Sequence, residues 1–178
     1  MAGEPARGHR PEGGSEYARL LVENLRYTEA FDRSALTAVP LSGLAIVACM
    51  DARLDIEETL GLRTGDAHII RNAGGLVTDD VIRSLIVSQQ VLGTNEIVLI
   101  EHTGCGLFRA DEPAIRARIA ADLDIPLEEV SVALGSFPDL EANVRAQVEM
   151  LREHRWLRKV PIHGLLFDVA TGRLHEVA

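Results

Sequence analysis

Short, continuous apolar runs recur along this chain and end at polar or glycine-rich turns. Runs of about four to eight such residues are typical of strands that are buried on both faces of a sheet. The run EIVLIEH is the strongest, because it is rich in β-branched residues. The pattern predicts strands over residues 44–48, 67–70, 96–102 and 131–134, and a C-terminal hairpin that turns near Thr171–Gly172.

Apolar residues at helical spacing predict helices between these runs. Thr78 is placed to cap a helix whose first turn holds two aspartates, and Gly93 is placed to end it. Ser136 and Pro138 are start signals for a later helix. Further helices are predicted over residues 16–30, 54–62 and 111–123. The first of these carries four apolar residues on one side: Tyr17, Leu20, Leu21 and Leu25.

Strands that alternate with helices indicate an α/β fold with a mostly parallel central sheet flanked by helices. The C-terminal hairpin is expected to add antiparallel strands at or near one edge of that sheet. Residues 1–14 are rich in glycine, proline and charge, so we interpret them as a mobile tail. Residues 15–178 are then expected to form a single domain.

Composition narrows the class of protein. The 178 residues include 27 acidic and 18 basic ones, a formal charge of −9. This balance argues against a nucleic-acid partner, because phosphate binding relies on clustered lysine and arginine. The sequence shows neither an apolar run long enough to span a membrane nor the apolar core of a secretory signal. We therefore expect a cytoplasmic protein that does not bind membranes.

The chain has two cysteines, and each follows one of the predicted strands. Cys49 lies just past residues 44–48, and the motif HTGCG places His102 and Cys105 at the end of residues 96–102. Sites in parallel α/β sheets gather beyond the carboxyl ends of neighbouring strands. If these two strands are neighbours, the two sulfurs and the imidazole converge.

Two thiolates and an imidazole suit zinc, and three protein ligands leave a fourth position for water, as in catalytic zinc sites. A fourth protein ligand would instead indicate a structural site, and Asp51 is the nearest candidate for it. For either cysteine alone, simple packing as a small apolar residue is the default interpretation. Four glycines are expected to let the backbone bend near, or pass close to, this pocket: Gly74, Gly75, Gly104 and Gly106.

Asp51 and Arg53 alternate just past Cys49. In an extended segment, Asp51 points to roughly the same side as Cys49, where it could accept a hydrogen bond from a metal-bound hydroxide. Arg53 could hold that carboxylate by a charge-assisted fork and keep it ionised. The alternative is a surface salt bridge, which contributes about 0–1 kcal/mol to stability.

The segments CMDAR, RNAGG and HTGCG, in this order and with His102 53 residues after Cys49, resemble the motifs of the β-class carbonic anhydrases, in particular their compact bacterial branch. The resemblance implies one Zn²⁺ per subunit, held by Cys49, His102 and Cys105, with Asp51 and Arg53 as the catalytic dyad. It implies reversible hydration of CO2 to bicarbonate and a proton by attack of zinc-bound hydroxide. It also implies a homodimer or dimer of dimers in which the N-terminal helix reaches over the partner.

Two other functions remain open at this point. The same fold and metal could hydrolyse carbonyl sulfide or carbon disulfide, as some relatives of this family do. Alternatively, the protein could be a non-catalytic zinc or dithiol redox protein. The Asp51–Arg53 pair argues against this last function, because a structural site has no need of a positioned base.

Overall fold

The computed structural model describes residues 15–178 and divides them into two compact units, the first ending at Leu36 and the second spanning Thr37–Ala178. The tail that we predict for residues 1–14 lies outside the described residues. In the first unit, helix α1 (Glu16–Glu29) begins where the Ser15 hydroxyl accepts a hydrogen bond from the Ala18 N–H at 3.1 Å. This cap satisfies one of the free N–H groups at the helix start, and it confirms the predicted first helix.

The second unit is an α/β domain. Its strands are β1 (Leu44–Cys49), β2 (Ala67–Asn72), β3 (Glu96–His102), β4 (Ile162–Asp168) and β5 (Arg173–Glu176). Its helices are α2 (Ile56–Leu60), α3 (Asp79–Gln90), α4 (Glu112–Leu123) and α5 (Leu140–Glu153). Thr78 caps α3 as predicted, since its side chain accepts from the N–H of Val81.

The five strands form one sheet in the order β2-β1-β3-β4-β5. The first four are parallel, and β5 pairs antiparallel with β4 at the edge. The predicted fold class is therefore confirmed. Strands β1 and β3 are central neighbours in the register Ala48↔Ile100, so their carboxyl ends adjoin. This adjacency is the condition on which convergence of the two cysteines and the histidine depends.

Alternation along the central strands gives the sheet two buried faces. Ala45 and Val47 pack with α3 and α5 on one face, whereas Ile46 and Ala48 pack on the other. The second face also contains Cys49 and Cys105 among apolar side chains. The candidate ligands are thus embedded in the hydrophobic core at the end of the sheet, where solvent is largely excluded.

The prediction of a strand over residues 131–134 is wrong. These residues follow a 3₁₀ turn and make no ladder pairing. Ser131, Val132 and Ala133 are exposed, so the core does not cover this run as it covers the buried strands. The helix predicted to begin near Ser136 and Pro138 starts later, at Asp139, whose carboxylate accepts from the N–H of Ala142 at 2.9 Å.

Within residues 15–178, none of the helices combines the length and the apolar character that crossing a bilayer would require.

Candidate metal centre

The structure brings together the three side chains expected to bind a metal. One ligand atom from each of Cys49, His102 and Cys105 lies within 4.8 Å of the other two, and all three residues are buried. Cys49 is the last residue of β1 and His102 is the last residue of β3, so two neighbouring strand ends supply two of the donors. Cys105 follows His102 after a tight turn in which Gly104 has a φ of 66°.

The imidazole of His102 is oriented as a metal ligand. Its Nδ1 lies 3.0 Å from the carbonyl oxygen of Thr103, and a carbonyl can only accept, so Nδ1 carries the proton. In the neutral imidazole, Nε2 then carries the free lone pair, and this nitrogen is buried without a hydrogen-bond partner. A buried nitrogen left in this state costs stability unless something binds it. A cation between this nitrogen and the two sulfurs would satisfy it.

The two thiols differ in their surroundings. Burial alone would raise the pKa of Cys49, but the adjacent His102 imidazole and the backbone N–H groups of Asp51 and Gly74 lower it to about 7. For Cys105, burial and the nearby Cys49 raise the pKa, although backbone N–H groups act in the opposite direction. Cys49 therefore ionises more readily than Cys105. The resulting thiolate is the form of cysteine that binds metals.

Asp51 and Arg53 form a close ion pair beside these ligands. The carboxylate accepts from Arg53 Nε at 2.9 Å and from its terminal guanidinium nitrogen at 2.7 Å. Asp51 also accepts from the Arg53 N–H at 2.9 Å, so residues 51–54 form a turn rather than the extended segment that we expected. These bonds hold the pKa of Asp51 well below its usual range. The carboxylate lies 3.8 Å from His102 Nε2, at the rim of the donor set.

Arg53 also connects the two halves of the site. Its guanidinium donates to the carbonyl of Gly104 at 3.0 Å, in the turn that leads to Cys105. The same side chain therefore fixes the carboxylate that follows β1 and the loop that follows β3. This bond supports the expectation that Gly104 helps shape the site.

The glycines of RNAGG carry the backbone across the strand ends. Gly75 has a φ of 67°, and an added Cβ would lie 3.0 Å from the Cys49 nitrogen and 3.2 Å from the Ile100 carbonyl oxygen. Gly74 also has a positive φ, and its backbone N–H helps to lower the pKa of Cys49. The close backbone passage that we expected is therefore present. At Gly106 the structure differs, because its φ is not positive and an added Cβ would meet open space.

Sequence reasoning missed two charged residues at this site. Glu101 is 1% exposed, and its Oε1 accepts from the amide of Asn143 at 2.7 Å while Oε2 is buried without a partner. Arg71 donates to the backbone on both sides of Met50. Glu101 could have been noticed as an acidic residue near the end of the apolar run of β3. Arg71 could have been noticed because it is the first residue of the RNAGG motif.

The donor set suits a metal ion by its chemistry. Two sulfurs, an imidazole nitrogen with a free lone pair and a low-dielectric surround match the preferences of Zn²⁺ among the common divalent ions. A parallel α/β sheet with this set at its carboxyl edge and an ionised carboxylate alongside is the architecture of a metalloenzyme. The fold and the site together define that class of protein.

Comparisons with known proteins identify the family within this class. The family model described as carbonic anhydrase matches residues 44–174. Beta-carbonic anhydrase 1 of Mycobacterium tuberculosis is 42% identical over 158 residues, 88% of this chain and 94% of that protein. A carbon disulfide hydrolase of Acidithiobacillus thiooxidans is 39% identical over 149 residues, 74% of this chain and 75% of that protein.

A solved structure agrees with these relatives. The crystal structure of carbonic anhydrase from Streptococcus mutans is 38% identical and superposes with a TM-score of 0.86, covering 93% of this chain and 99% of that one. The chain therefore belongs to the β-carbonic anhydrase family, and it is an enzyme of that family.

Proposed function

We propose that this enzyme catalyses the reversible hydration of CO2 to bicarbonate and a proton, with one Zn²⁺ per subunit held by Cys49, His102 and Cys105. The observation that supports this most directly is the buried triad of donor atoms within 4.8 Å, beside a carboxylate that a guanidinium keeps ionised. When bound, zinc would acidify a water molecule and so provide a nucleophile for CO2 near neutral pH.

In this proposal, Asp51 orients the nucleophile as a hydrogen-bond acceptor. Its pKa is held so low by Arg53 that it stays ionised at every pH where the protein would work. It therefore does not store the proton that the reaction releases, and that proton must leave to solvent by another route. Because both carboxylate oxygens are engaged by Arg53, Asp51 is held back from acting as a fourth ligand.

Arg53 has two positioning functions in this proposal. Its fork fixes the direction of the Asp51 carboxylate, and its bond to Gly104 fixes the fork relative to Cys105. A non-catalytic zinc or dithiol protein would have no use for a carboxylate aimed at the rim of its metal site. The pair is thus the feature that favours catalysis over a redox role.

Hydrolysis of carbon disulfide or carbonyl sulfide is a second candidate, because a carbon disulfide hydrolase is 39% identical over 149 residues. CO2 and CS2 are both linear and present an electrophilic carbon, so the same site could serve either. Parallel assays decide between them: we expect CO2 hydration to be faster by at least about tenfold in kcat/KM, and the reverse order would make this protein a carbon disulfide hydrolase.

The proposal is tested by metal analysis of the purified protein combined with stopped-flow CO2 hydration. We expect about one zinc per chain and a turnover that disappears when the metal is removed by a chelator and returns when zinc is added. A metal-free protein that hydrates CO2 at the same rate would contradict the proposal.

We also propose a cytoplasmic homodimer, or a dimer of dimers, assembled partly through α1. This helix places Tyr17, Leu20, Leu21 and Leu25 at helical spacing, and none of its residues is buried. An apolar helix side of this kind is typical of a protein interface. Two free, buried thiols also suit a reducing compartment.

A further inference from the structure

We propose that Arg71, on the edge strand β2, is a positioning residue that holds the ligand Cys49 and the carboxylate Asp51 in their working geometry. The inference rests on the proposed function for its catalytic consequence, but the contacts themselves are independent of it. Arg71 stays outside the donor triad and its ion pair, and it acts through the backbone that carries them.

Arg71 forms hydrogen bonds with the backbone of the proposed ligand Cys49 and of the carboxylate residue Asp51. Its Nε donates to the carbonyl oxygen of Cys49 at 2.9 Å, and its terminal nitrogen donates to the carbonyl oxygen of Asp51 at 2.7 Å. A single planar guanidinium therefore spans the segment from ligand to carboxylate. Bonds from a charged donor are stronger than neutral ones, and a fork fixes direction as well as distance.

Residues 50–54 lie beyond the end of β1, so the hydrogen bonds of the sheet do not fix their position. The ladder between β1 and β2 ends at the pair Cys49↔Asn72, and only one further backbone bond, from the N–H of Met50 to the Asn72 carbonyl at 2.8 Å, extends it. Beyond that point the chain turns at residues 51–54. Arg71 is the side chain of the adjacent strand that reaches across to this turn.

Asn72, the last residue of β2, stabilises the turn that follows this strand. Its side chain accepts from the Leu76 N–H at 2.9 Å and donates to the Leu76 carbonyl at 2.8 Å, which closes the turn over residues 72–76. That turn carries Gly75 close over the end of β1, where an added Cβ would lie 3.0 Å from the Cys49 nitrogen. The end of β2 and the turn after it thus both contact the backbone of Cys49.

In this proposal, Arg71 controls the orientation of the Asp51 carboxylate relative to the metal site. The Asp51 carboxylate is bound by the N–H and the side chain of Arg53, which follows it in the same turn. If the Asp51 carbonyl loses its bond to Arg71, the turn is no longer tied to β2. It can then tilt about its remaining contact, the bond from Arg53 to Gly104. The ion pair would then persist while its aim at the metal site is lost. Residues that orient metal ligands typically change metal affinity or activity by about 10–100-fold when they are replaced.

The test compares Arg71→Met and Arg71→Lys with Arg83→Met, a matched control. Arg83 is an exposed arginine whose structural partner is the adjacent-turn Asp80. For each zinc-loaded protein, we would measure kcat per bound zinc and KM in a stopped-flow CO2 assay. We would also measure the rate at which zinc passes to a chromogenic chelator, which needs no activity. Thermal unfolding monitored by circular dichroism checks that each variant is folded.

We expect Arg71→Met to lower kcat per bound zinc by about 10–100-fold with little change in KM, and to release zinc about tenfold faster. Arg71→Lys, which keeps the charge but lacks the fork, should fall between Arg71→Met and the parent. Arg83→Met should match the parent. Because Arg71 is exposed, water can replace its donors, and Arg71→Met is expected to fold.

The inference is overturned if Arg71→Met matches Arg83→Met within about twofold in both kcat per bound zinc and zinc release. If Arg71→Met does not fold, Arg71→Lys decides alone, and values within about twofold of the parent in both measurements overturn the inference. If the parent protein itself fails to hydrate CO2, the proposed function is wrong, but the zinc-release comparison still tests whether Arg71 holds the site.

Discussion

Asp51 shows how one side chain is assigned a task by its neighbours. Three donors from Arg53 converge on its carboxylate and keep it ionised, and it lies at the rim of the donor triad. An ionised carboxylate in this position can accept a hydrogen bond but has no proton to give. Its contribution to catalysis is therefore orientation, and replacing the acceptor by an amide should remove that contribution.

We expect Asp51→Asn to retain about one zinc per chain, because the ligands are untouched, and to lose turnover by up to about 100-fold, the range typical of groups that orient a metal site. Metal analysis and stopped-flow CO2 hydration measure the two quantities. Asp80→Asn, which changes an exposed aspartate paired with Arg83, is the matched control. An unchanged kcat/KM in Asp51→Asn would show that the carboxylate has no part in the reaction.

Glu101 is a second acidic residue with an unusual environment. Burial raises its pKa to about 7, although the hydrogen bond from Asn143 acts in the opposite direction. Between the ordinary pKa of 4.5 and about 7, the folded state therefore binds more protons than the unfolded state. It follows that the free energy of unfolding contributed by this residue decreases as the pH rises through that window.

We predict that Glu101→Gln removes this pH dependence. Each pKa unit corresponds to about 1.4 kcal/mol, so the parent should lose about 3 kcal/mol of stability from this residue between pH 4.5 and pH 7. Urea unfolding of the parent and the variant at several pH values measures the difference. Curves that run parallel across this window would mean that Glu101 does not titrate as its burial requires.

At the scale of residues, the sequence identified the metal donors and the local Asp51–Arg53 pair, but not partners that are distant along the chain. Cys49, His102 and Cys105 stand out because their residue types follow apolar strands. By contrast, the bonds of Arg71 and the burial of Glu101 depend on strands and helices that are distant along the chain, such as α5 with its Asn143. Side-chain pairing of this kind is a property of the folded arrangement, so residue pattern alone does not reveal it.

At the scale of elements, the site is made by the ends of β1, β2 and β3. Strands β1 and β3 supply Cys49 and His102, while β2 continues into the turn that crosses above them. Gly75 lies where this turn meets both central strands, and a Cβ added there would lie 3.0–3.2 Å from backbone atoms of Ala48, Cys49 and Ile100. Backbone atoms of a sheet cannot shift easily, so this position excludes a side chain.

We predict that Gly75→Ala destabilises the protein and reduces its zinc content. Gly61 is a matched control, because it has the same φ of 67° but an added Cβ would meet open space. Gly61→Ala should cost about 1–2 kcal/mol for the left-handed backbone alone. Gly75→Ala should cost about 1–3 kcal/mol more because of overpacking. Urea unfolding measures both, and equal losses would show that the close approach at Gly75 carries no energetic weight.

Sequence pattern predicted most elements, and its errors have structural reasons. Alternation of apolar strands with capped helices was enough to predict the parallel sheet and its antiparallel edge. The apolar run over residues 131–134 was assigned to a strand wrongly, because strand propensity does not show that residues 131–133 stay exposed in the folded chain. Local sequence therefore predicts which segments suit a strand, while packing against the rest of the fold decides which segments form one.

At the scale of the whole molecule, helix α1 is the feature that bears on assembly. It lies in the first of the two compact units, and it carries an apolar side at helical spacing. Other positions of the helix carry ion pairs such as Arg26–Glu23. This division of the helix surface is what our proposal of assembly through α1 requires.

We predict that the double variant Leu21→Glu with Leu25→Glu shifts the protein from dimer toward monomer, because it places charges in the apolar side of α1. Arg26→Glu changes the net charge by the same amount on the other side of the helix, so it is the control. Sedimentation velocity at several protein concentrations measures the masses. A double variant with the mass and concentration dependence of the parent would mean that α1 does not mediate assembly.

The central claim is that two sulfurs and one ring nitrogen hold a single zinc ion on which CO2 hydration depends. Zinc content and CO2 hydration of Cys105→Ser, measured on the same folded sample, test it most directly. We predict that both are lost together, because a hydroxyl is a far weaker zinc ligand than a thiolate. A metal-free Cys105→Ser protein that hydrates CO2 at the parent rate would contradict the account.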